Sequence, residues 1–250
     1  EIDIESGFLK IKKGPSKKDL PHPVSVISLE SVNSHNKEEA VIRLAEWVAE
    51  NGMDSDNEKY RSARQLLMNA LPSLTDNRIN LEDILEQTFD FVSKLDNSYL
   101  PVQGPPGAGK SYTGSHLIVR LAKMRKKIGI TALSHKVITN LLTKVSQVAQ
   151  EEGFNIEMIQ KVKADHDGVA PWTVYTSEDV IQNAIGNVDV IGGTSFMWSK
   201  PPYEGSVDYL FIDEAGQLSL IDTLAVSHCC SNFVLLGDPQ QLKQPQQGVH

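Results

Sequence analysis

Apolar and polar positions follow two rhythms along this chain, and the change falls near residue 99. From Lys37 to about Glu50 the apolar residues Ala40, Val41, Leu44, Trp47 and Val48 recur at helical spacing. The same periodicity predicts a helix over Tyr60 to Ala70, stopped by Pro72, and a third from Leu81 to Leu95. Asn80 would open that third helix, which carries Ile84, Leu85, Thr88 and Val92 on one side. Ahead of them, Gly7–Ile11 and Val24–Leu29 are short β-type runs split by Lys-, Gly- and Pro-rich turns. The expectation is the end of a β-rich domain or insertion over 1–36 and a helical lead-in over 37–98, neither with legible chemistry.

From Tyr99 onward short apolar runs alternate with helical stretches. Leu100–Gln103, Ile128–Leu133, Ile156–Val162, Val188–Ile191, Tyr209–Ile212 and Phe233–Leu236 read as strands. Helices are expected from Lys110, over His135 to Ala149, from Ser177 and near Leu218–Ala225. This alternation implies an α/β domain over 99–250, a mostly parallel sheet with helices on both faces. Ligands of such sheets bind at the carboxyl ends of the strands, and the polar motifs fall there.

The first is Gly104-Pro105-Pro106-Gly107-Ala108-Gly109-Lys110-Ser111, which fits the P-loop pattern G-x-x-x-x-G-K-[ST] at every fixed position. Glycines let the loop turn its backbone N–H groups around phosphate oxygens without an obstructing Cβ. Lys110 supplies a point charge for the β- and γ-phosphates, and the Ser111 hydroxyl is placed to ligate Mg2+. The helix that continues through Tyr112 aims its positive end at the same phosphates. Its last turns carry Arg120, Lys123, Arg125, Lys126 and Lys127, read as partners of the helix C-terminus before a nucleic-acid patch. Pro101 is awkward in a central strand and tolerable at a strand's first residue.

The second is Tyr209-Leu-Phe-Ile-Asp213-Glu214, an apolar strand ending in paired carboxylates. With a phosphate loop upstream, Asp213 would hold Mg2+ opposite Ser111, and Glu214 would orient and deprotonate the attacking water. The bland alternative is Asp as a helix N-cap with Glu in the first turn. The third, Gly237-Asp238-Pro239-Gln240-Gln241-Leu242, places Gln241 to donate an amide to a phosphate oxygen and accept from that water. A polar turn after a strand is its plain reading.

Composition adds limits. Hydrophobic residues make up 40% and charged residues 22%, ordinary for a globular chain, and no apolar run reaches the roughly 18–20 residues of a membrane span. The net charge of −8 argues against a surface that grips nucleic acid all round, without excluding a local basic groove. The adjacent Cys229 and Cys230 are expected as reduced thiols, which suits a cytoplasmic protein. The acidic start reads against a signal peptide, and the missing initiator Met suggests a chain cut from something longer.

Taken in this order, "QGPPGAGK", "DEAGQ" and "GDPQQL" resemble the motifs of superfamily-1 helicases. The branch they resemble is that of the nonsense-decay and Okazaki-fragment helicases, and bacterial proteins joining a RecB-like nuclease to such a helicase are most similar. "TALSHKVITNLL" (131–142) is similar to the family's single-strand-contacting segment, and "IGGTSFMWSK" (191–200) to its later Gly-Thr segment. The resemblance implies the first RecA-like motor domain of a nucleic-acid-dependent ATPase, with ATP and Mg2+ as cofactors and single-stranded DNA or RNA as partner. It implies Thr131, Ser134, His135 and Thr194 along the nucleic-acid track. It also implies a second RecA-like domain in the full-length protein, where any nuclease would lie upstream. Without that domain's arginines, worth on the order of 10³–10⁵ in rate, hydrolysis by this segment alone should be slow. Of the family's adenine-reading glutamine, Gln87 and Gln103 are the nearest candidates, and neither carries its flanks. A P-loop switch or protein-remodelling ATPase that does not act on nucleic acid is the competing expectation.

Overall fold

The computed structural model describes residues 2–3, 8–9, 21, 34–76, 83–105, 107–162 and 170–238. Contacts divide the chain into two units, Glu1–Asn33 and Ser34–His250. Of the first, the described part is an antiparallel pair, β1 (Ile2–Asp3) and β2 (Phe8–Leu9). The expected run over 24–29 lies outside the described residues.

The second unit begins with three helices, α1 (His35–Asn51), α2 (Arg61–Leu67) and α3 (Ile84–Ser93). Asp83, whose side chain accepts from the Glu86 N–H, caps α3, while the predicted opener Asn80 lies outside the described residues. Buried Arg64 ties the α1–α2 connection together by donating to the carbonyls of Met53 (2.8 Å), Ser55 (2.7 Å) and Asn57.

Among the described residues seven parallel strands follow: β3 (Tyr99–Gln103), β4 (Ile128–Thr131), β5 (Met158–Lys161), β6 (Thr173–Tyr175), β7 (Val190–Gly192), β8 (Val207–Asp213) and β9 (Cys230–Gly237). Their order across the sheet is β3-β9-β8-β4-β7-β5-β6. The connections carry α4 (Lys110–Lys123), α5 (His135–Glu151), α6 (Glu178–Ala184), the single turn α7 (Ser195–Trp198) and α8 (Leu220–Ala225). This is the RecA-like P-loop α/β fold that the alternation predicts. Short β6 and α7 were not among the predicted elements.

The central strands read as unbroken apolar runs because both faces of the sheet are covered. In β8, Tyr209 and Phe211 join Leu117, Leu121, Ile138 and Leu141 of α4 and α5 on one face. Leu210 and Ile212 join Trp198, Tyr203 and Phe233 on the other. Tyr209 also donates its buried hydroxyl to the Val92 carbonyl at 3.0 Å, which pins α3 to the sheet. On α1, Leu44 packs with Tyr60 and Ala63 of the α2 region and with Leu224 of α8.

Among the described residues β3 is one of the two edge strands, with β6 at the other end, and its burial alternates. Pro101 is the strand's third residue, so the edge position, not a first-residue position, is what tolerates its missing N–H. Both cysteines are free and buried, as expected. Three of the basic residues at the end of α4 have local partners, with Arg120 2.6 Å from Glu86, Lys123 2.6 Å from Glu152, and Lys127 donating to the Val188 carbonyl. Among the described residues no helix is long and apolar enough to cross a membrane.

Candidate active site

Register brings the three motifs to one end of the sheet. Gln103 pairs with Gly237, Leu236 pairs with Asp213, and Ile212 pairs with Thr131, so the strands release their loops side by side. The Gly104 N–H then donates to the Gly237 carbonyl at 3.3 Å, fixing the start of the phosphate loop to the end of β9.

Within the loop, the Ala108 N–H donates to the Pro105 carbonyl, and Gly107 and Gly109 take φ of +79° and +84°. Side-chain-bearing residues rarely adopt such angles, so glycine is needed at both positions. Gly109 caps α4 and its carbonyl accepts from the Thr113 N–H at 2.8 Å. Lys110 curls back into the loop and donates from Nζ to the carbonyls of Gly104 (2.5 Å) and Pro105 (2.8 Å). A cation thus lies against the loop backbone, and the Cα atoms of Gly107 and Gly109 face open space, a fit for phosphate. Ser111 begins the helix half-buried, and Tyr112 is exposed. Pro106 lies outside the described residues.

Asp213 ends β8 almost fully buried, its Oδ1 accepting from the Glu214 N–H at 3.0 Å. Burial raises its pKa, the neighbouring Glu214 charge adds to that, and the Glu214 N–H, Lys144 and Lys110 oppose it. Register places this carboxylate at the same end of the sheet as the phosphate loop, and the Lys110 charge favours its ionised form. Exposed Lys144 of α5 acts in the same direction, and a lone lysine in a helix gives no sequence signal of that.

Asp213 is not a helix N-cap, because the chain first makes a short 3-10 turn over Ala215–Gln217 and Ser219 caps α8. Glu214 sits at the head of that turn with φ of +51°, a left-handed conformation that costs a side-chain-bearing residue on the order of 1 kcal/mol. Gly216 is glycine for contact: a Cβ there would stand 2.8 Å from the Asp238 carbonyl oxygen. Gln241 lies outside the described residues. Among the described residues no three His, Cys, Asp or Glu side chains group as a metal site.

Of the residues expected along a nucleic-acid track, Thr131 is the most deeply buried. It lies in β4, fully buried, with Oγ1 unpartnered, because the strand runs through it before the chain turns to the surface. Ser134 is exposed, yet its Oγ already accepts from the Val137 N–H as the cap of α5. His135 follows, half-buried, its carbonyl accepting from buried Gln160 at 3.3 Å. Thr194 heads α7 and makes no side-chain cap bond. The two loops leave neighbouring strands together, held by the Gly193 N–H on the Ile130 carbonyl at 3.0 Å.

Residues 87–249, more than half of the chain, match the family model described as "AAA domain". The chain belongs to the AAA domain family. This AAA domain is 27% identical over 155 residues to the DNA replication ATP-dependent helicase/nuclease of Gallus gallus, covering 59% of the chain and 15% of that protein. It is 24% identical over 194 residues to that of Saccharomyces cerevisiae, covering 76% of the chain and 12% of the relative. The chain therefore spans only a small part of the curated relatives it matches. Those names agree with the helicase branch that the motifs resemble. Among solved structures, the UvsW helicase from bacteriophage T4 aligns at 17% identity with a TM-score of 0.42, covering 80% of this chain and 70% of that one. Arterivirus nonstructural protein 10 (helicase) in complex with DNA aligns at 16% identity with a TM-score of 0.39, covering 58% and 30%.

Proposed function

We propose that this AAA domain binds ATP with Mg2+ and hydrolyses it as the first motor domain of a nucleic-acid-dependent helicase. The observation that carries the reading is the meeting of the Lys110 loop and buried Asp213 at the carboxyl ends of β3, β9 and β8. The relatives named as ATP-dependent helicase/nucleases point the same way.

On this reading, Lys110 exchanges its bonds to the Gly104 and Pro105 carbonyls for phosphate oxygens, and the loop's backbone N–H groups hold the rest of the phosphate chain. Ser111 and Asp213 would hold the magnesium ion, which when bound supplies positive charge to the phosphate oxygens. The residues fit it, because a carboxylate whose charged form is disfavoured by burial gains most from a nearby cation. Glu214, half-buried at the mouth of the site, accepts the proton of the attacking water. Gln241 would sense the γ-phosphate. On this reading a second RecA-like domain would complete the site in the full-length protein, and the relatives' names, helicase/nuclease, are what would put a nuclease domain beside it.

The test is ATP binding and turnover by the full-length protein. Lys110→Ala should weaken ATP·Mg binding, whereas Glu214→Gln should keep binding and abolish turnover. Single-stranded DNA or RNA should accelerate hydrolysis. Acceleration by neither polymer would sink the helicase reading and favour a switch or remodelling ATPase.

A further inference from the structure

Phe196 is an anomaly in an otherwise tightly seated turn. Its neighbours in α7 are buried: Met197 is 2% exposed and Trp198 is fully enclosed, donating from Nε1 to the Ile130 carbonyl at 3.1 Å. Gly193 is packed so closely under Met197 that a Cβ there would meet Met197 Cε at 2.3 Å. The turn is thus anchored from both sides, yet Phe196 remains 38% exposed. Core packing does not require this ring.

One face of the ring is nevertheless built upon. Lys37 of α1 places Nζ 3.6 Å from the ring centroid, and the same ammonium makes an ion pair with Asp222 of α8 at 2.6 Å. Lys37 is itself buried, so it shields the ring on its own side and leaves the exposure to the other face and the edge. A ring fixed in orientation by a desolvated cation presents a rigid planar surface.

The turn follows β7, which neighbours β4 in the sheet. Phe196 follows Thr194 in the loop after β7, and exposed Leu133 and Ser134 occupy the loop after neighbouring β4. Lys136, exposed in the first turn of α5, adds positive charge beside them. Exposed apolar side chains and a lysine where adjacent strands give way to helices suit a polymer with flat bases and anionic links.

We infer that Phe196 is a base-stacking platform for single-stranded nucleic acid, held from beneath by the Lys37–Asp222 pair. This rests on the nucleic-acid-dependent reading above and gives it a residue that reads bases, not phosphates. Stacking is sequence-tolerant because every base offers a π-face.

The experiment is fluorescence anisotropy of the full chain with labelled oligothymidylate and with an abasic oligomer of equal length. Phe196→Ala should weaken oligothymidylate binding by about 5- to 150-fold, the range for one stacked base, and leave abasic binding nearly unchanged. Phe196→Trp should restore affinity, and Phe196→Leu, apolar but not planar, should not. ATP binding by each variant reports intact folding. Equal losses on both oligomers, no loss on oligothymidylate, or rescue by leucine would each overturn the platform while leaving the helicase reading standing. Failure of the wild type to bind either oligomer would overturn both.

Discussion

Gly114 lies in the second turn of α4, where it packs against β9. A Cβ added there would stand 2.5 Å from Leu236 Cδ1, about 1 Å short of the 3.5–4.0 Å at which two carbons rest comfortably. Leu236 is fully buried, so its side chain must shift within the core to make room. Gly114→Ala therefore sets two effects against each other. Removing a glycine from a helix interior gains about 0.5–1 kcal/mol, while overpacking a close-packed core costs about 1–3 kcal/mol. Overpacking should win by about 1 kcal/mol, and the strain falls on the helix that begins at Lys110.

Leu236→Ala alone should cost about 2–5 kcal/mol through the cavity it leaves. In the double variant the new methyl enters that cavity, so its loss should be smaller than the sum of the single losses by at least about 1 kcal/mol. Urea denaturation followed by tryptophan fluorescence measures all four corners of the cycle. Single losses that add to within about 0.5 kcal/mol would refute the contact and the reasoning built on it. ATP affinity supplies a second readout, which should fall in Gly114→Ala and recover in part in the double variant.

Three further outcomes follow from features of the site and its surroundings. Asp213→Asn should be more stable than the wild type at neutral pH. Burial raises the folded-state pKa, so stability is lost as pH rises through that value, and the two proteins should converge below the ordinary 3.8; an asparagine variant less stable at pH 7 contradicts this. Glu214→Gly should raise the denaturation midpoint by relieving a left-handed backbone, by about 1 kcal/mol, while turnover by the full-length protein vanishes; a lowered midpoint argues against stored strain. Lys37→Met should cost about 1–3 kcal/mol by leaving Asp222, with 19% side-chain exposure, without its cation, and adding Asp222→Leu should recover part of the loss.

The parts legible in the sequence are those where chemistry or two-sided burial restricts residue choice. Glycines at 107 and 109 and the Lys110-Ser111 pair announce the loop because few other residues could fold it, and β8 and β9 announce themselves by burial on both faces. Three-residue β6 and four-residue α7 are too short for any period to register. Thr131 could not be assigned to core or surface, because that depended on how far β4 runs before turning. The Lys37–Asp222 pair spans 185 positions, and nothing local to either residue signals the other. The edge position of β3 is likewise a property of the assembled sheet, visible in sequence only as an oddly placed proline.

That edge position orders events during synthesis. Among the described residues β3 has one sheet neighbour, β9, with Tyr99 beside Phe233 and Gln103 beside Gly237. A nascent chain therefore carries the whole phosphate loop long before it owns the strand that holds it. Closing so long a loop is a slow step, taken late. Until residue 237 has emerged, the start of the phosphate loop lacks the Gly237 carbonyl that fixes it, and β3 lacks its neighbour among the described strands.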